Sequence, residues 1–292
     1  MKNHLYILIL IVSGLIYPFS LCAQIDNKLL AMQDTLVRLS KEIWKAKDDS
    51  SKIQANKAFL SKYKEVLTLP SAFNFPFDSL ATISRLKSDD AMLRITTWNI
   101  PLNNGTYKYF GFIELKNGKV FNLVQAERRD LGWENKILSL DHWYGAIYYK
   151  LISQKVKKEY VYTLIGWDGN DESSNYKLID ILSFDSNGIP VFGKGLFKTS
   201  EGIKNRVLIE YAKNTTALVR YDNQSLKIQK GNRVKEKKMW MIVMDKLIPM
   251  MPSMTGIRKY YVPSGDTHDA YLFRDGFWTF VENISAGNSA LK

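Results

Sequence analysis

The sequence predicts a mainly β protein: an antiparallel, hairpin-rich sheet domain preceded by an N-terminal helical hairpin. Three observations carry this. Apolar residues recur at helical spacing only between residues 25 and 67. From Ile83 onward the apolar pattern alternates instead. Glycine, asparagine or aspartate turns then punctuate the chain at short, irregular intervals.

Leu29, Met32, Leu36, Leu39 and Ile43 place one apolar stripe on a first helix. Asp48-Asp49-Ser50-Ser51 breaks it with residues suited to caps and turns. A second helix follows, with Ile53, Phe59, Tyr63 and Val66 as its inner face, and Pro70 closes it. The expected domain bounds are therefore 24–70 for the helical hairpin and 71–284 for the β domain, with a disordered tail at 285–292. Ser71 to Leu80 is an aromatic linker, whose alternating Phe73, Phe75 and Phe77 suggest an extended segment that plugs the core.

Strands are predicted at Met92–Trp98, Tyr107–Leu115 and Val120–Val124, with turns at Asn103–Thr106 and Asn117-Gly118. Gln125 to Ser139 is polar and reads as a loop or short helix. His142–Ile152 and Tyr160–Ile165 follow, joined through a lysine-rich bend, and the apolar run stops at Gly166-Trp167-Asp168-Gly169-Asn170. Further strands are expected at Leu178–Phe184, Pro190–Phe197, Arg206–Tyr211, Ala217–Tyr221, Leu226–Gln229 and Met239–Met244. The last are Arg258–Val262, Tyr271–Phe273 and Phe277–Val281, with Asp275-Gly276 as the final tight turn. Short strands without crossover helices argue against a parallel sheet. A curled sheet, a sandwich and an incomplete propeller all fit. Trp98-Asn99 and Trp167-Asp168 each end a strand, as propeller blades do, but no regular period links them.

The first 23 residues read as an export signal. Lys2 is followed by an apolar run from Leu5 to Tyr17, and Leu21-Cys22-Ala23 offers a cleavage site before Gln24. Leu21 is not small, so cleavage after Ala23 is preferred to a lipid anchor on Cys22. The run is also short for a membrane span, which takes about 20 apolar residues. The expected location is periplasmic or extracellular, with no transmembrane segment after cleavage. Cys22 is the single cysteine, so the mature chain would lack disulfides, thiolate metal sites and cysteine nucleophiles.

The chain carries 41 basic against 29 acidic side chains, a formal charge of +12. Such a surplus favours anionic surfaces, whether lipid head groups or acidic polysaccharide. For an exported chain, nucleic acid is not an expected partner.

Around Gly166–Asn170 the sequence resembles a group of uncharacterised exported proteins of Bacteroidota. The likeness extends through Trp143-Tyr-Gly-Ala146, Tyr148-Tyr149, Ile179–Leu182, Pro190–Gly193, Arg220-Tyr-Asp222 and Gly276-Phe-Trp278. It covers about the C-terminal two-thirds. It implies export and an envelope-associated or extracellular setting, and brings no activity, substrate or site residue with it.

Chemistry-bearing clusters are few. Ser264, Asp266, His268 and Asp269 supply the atom types of a hydrolytic triad, in which a histidine oriented by a carboxylate takes a hydroxyl proton. No nucleophile-elbow signature accompanies them, and Pro-Ser-Gly-Asp is first a turn. Asp168, Asn170, Asp171 and Glu172 gather oxygens suited to calcium, but Ser173 stands where the helix-loop-helix pattern needs glycine. No metal or other cofactor is expected. Trp167, Asp168 and Asn170 are the candidate ligand contacts, with a structural turn as the simpler reading. Glu114, Asp180, Asp185, Glu210 and Asp245 are scattered on different strands, and only their final separation would define a carboxylate pair. Two expectations emerge: a non-enzymatic exported binding or structural protein, or a secreted hydrolase using the Asp266–Asp269 loop or cleft carboxylates.

Overall fold

The computed structural model describes residues 27–127, 132–230 and 233–284, without the side chains of residues 227–230 and 233–235. The expected signal at 1–23, its Cys22, and the tail at 285–292 lie outside these residues. The chain divides into two compact units. One runs through Ile83 and includes Glu114–Val120; the other comprises Ser84–Ile113 and the chain from Phe121 onward.

The first unit contains α1 (residues 27–45) and α2 (Asp49–Leu67). Asp48 caps α2, accepting from the Ser51 backbone N–H at 2.9 Å. Leu29, Leu36 and Ile43 are buried as the stripe predicts, but Gln33 and Ser40 are buried too while Met32 and Leu39 are only half-buried. The inward axis of α1 is therefore rotated from the apolar stripe. Both buried polar groups find partners: Gln33 Oε1 accepts from Ser79 N at 3.4 Å, and Ser40 Oγ donates to the Val37 carbonyl at 2.9 Å. The 71–80 linker is not extended. It is a series of turns with positive φ at Ser71 and Phe77, and Phe77 is the core plug, packed edge-on against Tyr63 and Phe75. Among the described residues no helix is long and apolar enough to cross a membrane.

In the second region β1 (Ser84–Lys87), β2 (Leu93–Pro101), β3 (Tyr107–Leu115) and β4 (Val120–Val124) form a four-stranded sheet in chain order. β5 (Ile147–Val156), β6 (Glu159–Asp168) and β7 (Ser174–Phe184) build a second, antiparallel sheet. The short β8 (Pro190–Phe192) pairs with one end of β7. The chain then leaves for a third sheet through β9 (Phe197–Thr199) and β10 (Gly202–Lys204), and returns as β11 (Val207–Ala212) on the other end of that β7 edge. β12 (Val219–Lys230), β13 (Arg233–Pro249), β14 (Tyr261–Arg274) and β15 (Phe277–Ile284) complete the third sheet, ordered β10-β9-β15-β14-β13-β12.

The second and third sheets share one core, so the architecture is a sandwich of open sheets. Ile152, Val161, Ile165, Ile179 and Ile181 face Ile242, Met244, Tyr271 and Trp278 across it. Each such aliphatic side chain contributes about 1.5–3 kcal/mol by leaving water. Trp278 also joins the sheets by a polar bond, its Nε1 donating to Thr163 Oγ1 at 2.9 Å.

Several expectations are corrected. Pro190–Phe197 is not one strand: Gly193 takes φ 91° and the chain changes sheets there. His142–Ala146 is not strand either, because Gly145 at φ 83° turns the backbone before β5 begins. Ala217–Tyr221 and Leu226–Gln229 are not separate strands but parts of one, β12. Asp222 bonds Arg220 at 3.1 Å and Gln224 at 2.8 Å, two residues away on the same strand face, so β12 runs straight through. The sheet pairing is not wholly antiparallel, since β9 and β15 run parallel over Phe197–Lys198.

Asp90 in the β1–β2 turn fixes one pH response. Burial pushes its carboxyl up, but the Ser88 and Tyr162 hydroxyls and the Met92 N–H outweigh it and hold it below 3.8. A depressed carboxyl releases protons on folding, so its contribution is present above pH 3.8 and lost as pH falls through the folded value. Asp90→Asn is expected to flatten the acid limb of a stability–pH curve below pH 3.8. An unchanged limb would show that the Asp90 bonds contribute nothing.

Candidate ligand-binding cleft

One wall of the candidate site is built on a buried ion pair. Arg206, at the head of β11, and Asp180, on β7, are both 0% exposed, with Nε 3.0 Å from Oδ2. Arg206 Nη1 also donates to the carbonyl of Lys136 at 2.9 Å and to that of Trp133. The second Asp180 oxygen accepts from the Ile181 N–H at 2.8 Å. Burial raises the Asp180 carboxyl, and the Arg206 guanidinium offsets only part of that. Gly193 is required beside this pair. A Cβ there would lie 2.6 Å from the Lys136 carbonyl and 2.8 Å from Arg206 Nη2.

The guanidinium thus pins the segment Trp133–Lys136 along the free edge of β11. The Glu134 carbonyl accepts from Asn205 N at 2.7 Å, and its carboxylate accepts from Leu208 N at 3.2 Å. This covers an edge strand that would otherwise present unpaired amides. Above the wall, Trp133 stacks on His142 with rings 5.6 Å apart and 12° from parallel, and meets Tyr144 edge-on.

Beside this wall opens a cleft of about 750 Å³. The β9–β10 hairpin flanks it, where Lys204 lies 3.2 Å from Glu201 and 3.9 Å from Glu134. Met244, Tyr271 and Phe280 enter from the third sheet. At another side a polar chain runs from Asn170 Nδ2 to Ser174 Oγ at 2.9 Å and on to Glu210 at 2.7 Å. Five carboxylates and three cations line the described part of the cleft. A chain with a net charge of +12 therefore concentrates acid here.

The predicted site residues separate. Asn170 reaches the cleft, held at φ 44°, but Trp167 and Asp168 do not line it. Trp167 packs edge-on against Tyr107, 5.4 Å away. Asp168 is fully buried and accepts from the Tyr109 hydroxyl at 2.9 Å, the Tyr144 hydroxyl at 3.2 Å and the Asn170 N–H at 2.9 Å. Asp171 Oδ1 is occupied by the N–H groups of Ser173 and Ser174, so these oxygens fix a turn. Among the described residues no three histidine, cysteine, aspartate or glutamate side chains gather as a metal site.

Ser264 and His268 do not meet. Ser264 and Gly265 belong to a bulge in β14, where the Ser264 hydroxyl lies 2.7 Å from that of Thr267. Asp266 is exposed. His268 is buried and pairs instead with Asp245 across the β13–β14 ladder, Nε2 to Oδ1 at 3.4 Å, with Nδ1 left without a partner. Asp269 does line the cleft, with Oδ1 accepting from Asn283 N at 3.0 Å. Glu210 and Asp245, scattered in sequence, are also brought to it. Lys204 and Arg206 were not foreseen. Their only sequence signal is an arginine opening an apolar strand.

Comparison with family models, with curated proteins and with solved structures gives no match to this chain.

Proposed function

We propose that this chain is an exported, non-enzymatic binding protein of the envelope or extracellular space whose cleft takes a hydroxyl-rich ligand of the saccharide class. The supporting observation is the composition of the cleft. Half-buried Tyr176 and Phe280 bring apolar rings beside Glu134, Glu210, Lys204 and Asn170. Rings accept the C–H face of a sugar, while carboxylate, ammonium and amide groups exchange hydrogen bonds with its hydroxyls. The volume of about 750 Å³ suits a short oligosaccharide.

Calorimetric titration with a panel of neutral and acidic oligosaccharides tests this. At least one should bind saturably, and Tyr176→Ala should weaken it by roughly fivefold to tenfold, the scale of one ring contact. Glu210→Gln should weaken it as well. A panel without saturable binding, or binding indifferent to both substitutions, sinks the reading.

A second reading, a secreted hydrolase, is favoured by one observation: the His268–Asp245 pair borders a cleft that also contains Glu210 and Asp269. Turnover of a bound glycan that disappears in His268→Gln and Asp269→Asn would replace the binding-protein reading with this one.

A further inference from the structure

The turn between β13 and β14 carries an exposed apolar group that the cleft does not use. Ile248 is 42% exposed, Met250 56%, Met251 51% and Ile257 46%. These are large fractions for side chains that normally seek the interior. The backbone beneath them is tied down. Ladder pairing continues to Pro249–Tyr261, and Met250 N then donates to the Tyr260 carbonyl at 2.9 Å. Two single 3-10 turns follow, at Pro252–Met254 and Arg258–Tyr260. Between them Gly256, at φ 88°, donates its N–H to the Tyr261 hydroxyl at 2.9 Å. The apolar tips are held outward on a fixed scaffold.

The turn segment itself carries charge of one sign, although Lys246 and Arg258 also line the carboxylate-rich cleft. From Lys246 to Gly265 the sequence contains Lys246, Arg258 and Lys259 and no acidic residue. Arg258 lies over the Tyr261 ring at 4.6 Å and Lys259 over the Tyr260 ring at 5.3 Å. Apolar tips, an interfacial tyrosine and flanking cations form the combination that enters the head-group boundary of an anionic bilayer. Methionine thioethers adapt to a disordered acyl surface. A protein partner fits less well. Four half-exposed side chains on one turn present roughly a few hundred Å², and a stable protein interface takes about 800 Å² per partner.

We infer that the Ile248–Tyr260 turn docks this protein on an anionic lipid surface, with Met250, Met251 and Ile257 entering the head-group layer and Arg258 and Lys259 meeting lipid phosphates. This goes beyond the cleft ligand, and of the side chains named for docking only Arg258 also lines the cleft.

Vesicle flotation with the full chain tests it, comparing phosphatidylcholine alone with phosphatidylcholine containing phosphatidylglycerol. Binding is expected to the anionic vesicles and to fall with added salt. The double variant Met250→Ser, Met251→Ser leaves the net charge unchanged and should weaken binding roughly tenfold or more. Arg258→Gln with Lys259→Gln should weaken it to a similar degree. Ile257→Ser supplies an independent apolar variant, and an unchanged melting temperature certifies the fold of each. The inference is overturned by absence of vesicle binding. It is equally overturned if the serine variants bind as the parent does, which would assign binding to diffuse charge, or if sedimentation shows that they dissolve a dimer. Met250, Met251 and Ile257 do not line the cleft, so the serine variants are separable from oligosaccharide binding, which only the Arg258 substitution touches.

Discussion

Replacing Arg206 by methionine is expected to destabilise the β region by roughly 3–5 kcal/mol, the cost of leaving one member of a buried ion pair alone. Asp180 is 0% exposed, and its remaining partners would be the backbone N–H groups of Ile181 and Gly193, with no cation among them. The loss spreads, because the same guanidinium holds the Trp133 and Lys136 carbonyls and so the wall of the cleft. In a chain of this size the change corresponds to a melting shift on the order of 10 °C. The decisive measurement is the double variant Arg206→Met, Asp180→Leu. Removing both charges replaces an ion pair with apolar volume, which is often neutral or stabilising. Most of the lost stability should return. Binding of the proposed oligosaccharide should recover only in part, since the Trp133 and Lys136 carbonyls lose the guanidinium and the segment keeps only its bonds to Asn205, Leu208 and the residue 206 amide. A double variant as unstable as the single one would show that the loop anchor, not the stranded carboxylate, sets the cost.

The sequence makes local geometry legible and distant pairing illegible, for a physical reason. Turns such as Asp275-Gly276 can be read because both residues must take positive φ, 51° and 79° here, and few residue types do so cheaply. The α2 start is readable because Asp48 meets an N-terminal amide within the same turn. The β12 and β13 strands outrun their apolar cores because exposed Glu236, Lys237 and Lys238 can extend a ladder without a buried face. Periodicity records burial and is silent about such extensions. Ser264–Gly265 shows an intermediate case. The turn chemistry is honoured, with Gly265 at φ 93°, but as a bulge inside β14 and not as a loop. The cleft joins a 3-10 turn, a hairpin and two sheets; Asn170 and Asp269 among its residues stood out beforehand in local clusters, and Glu210 and Asp245 only as scattered carboxylates. Nothing local marks Lys204 or Glu210 as neighbours of those residues. Their meeting is set by the return of β11 to β7 after the excursion through β9 and β10.

The Gly166–Asn170 turn yields the second large effect. Asp168→Ala is expected to cost roughly 3–5 kcal/mol, because it removes a buried acceptor that the Tyr109 and Tyr144 hydroxyls and the Asn170 N–H share, each buried bond lost costing about 1–3 kcal/mol. The Tyr109 hydroxyl also accepts from Gly169 N at 2.7 Å, so the turn backbone loses its support with the carboxylate. Gly169 itself has no room to compensate: a Cβ would come within 2.1 Å of the Tyr107 ring. Asp168→Asn keeps the shape and one acceptor, and should cost only about 1–2 kcal/mol. Asn170 behaves oppositely. Asn170→Gly tolerates the φ of 44° and removes a cleft-facing amide, so stability should barely move while oligosaccharide binding weakens. Thermal melts and titrations on the three variants separate the roles. If Asp168→Asn melted like the parent yet lost ligand, the buried carboxylate would be a binding group reached by rearrangement, and the division between Asp168 as turn and Asn170 as contact would fail. The geometry argues for that division. The two side chains sit two residues apart, one sealed between tyrosine hydroxyls and the other turned by its left-handed backbone toward Ser174 and the cleft.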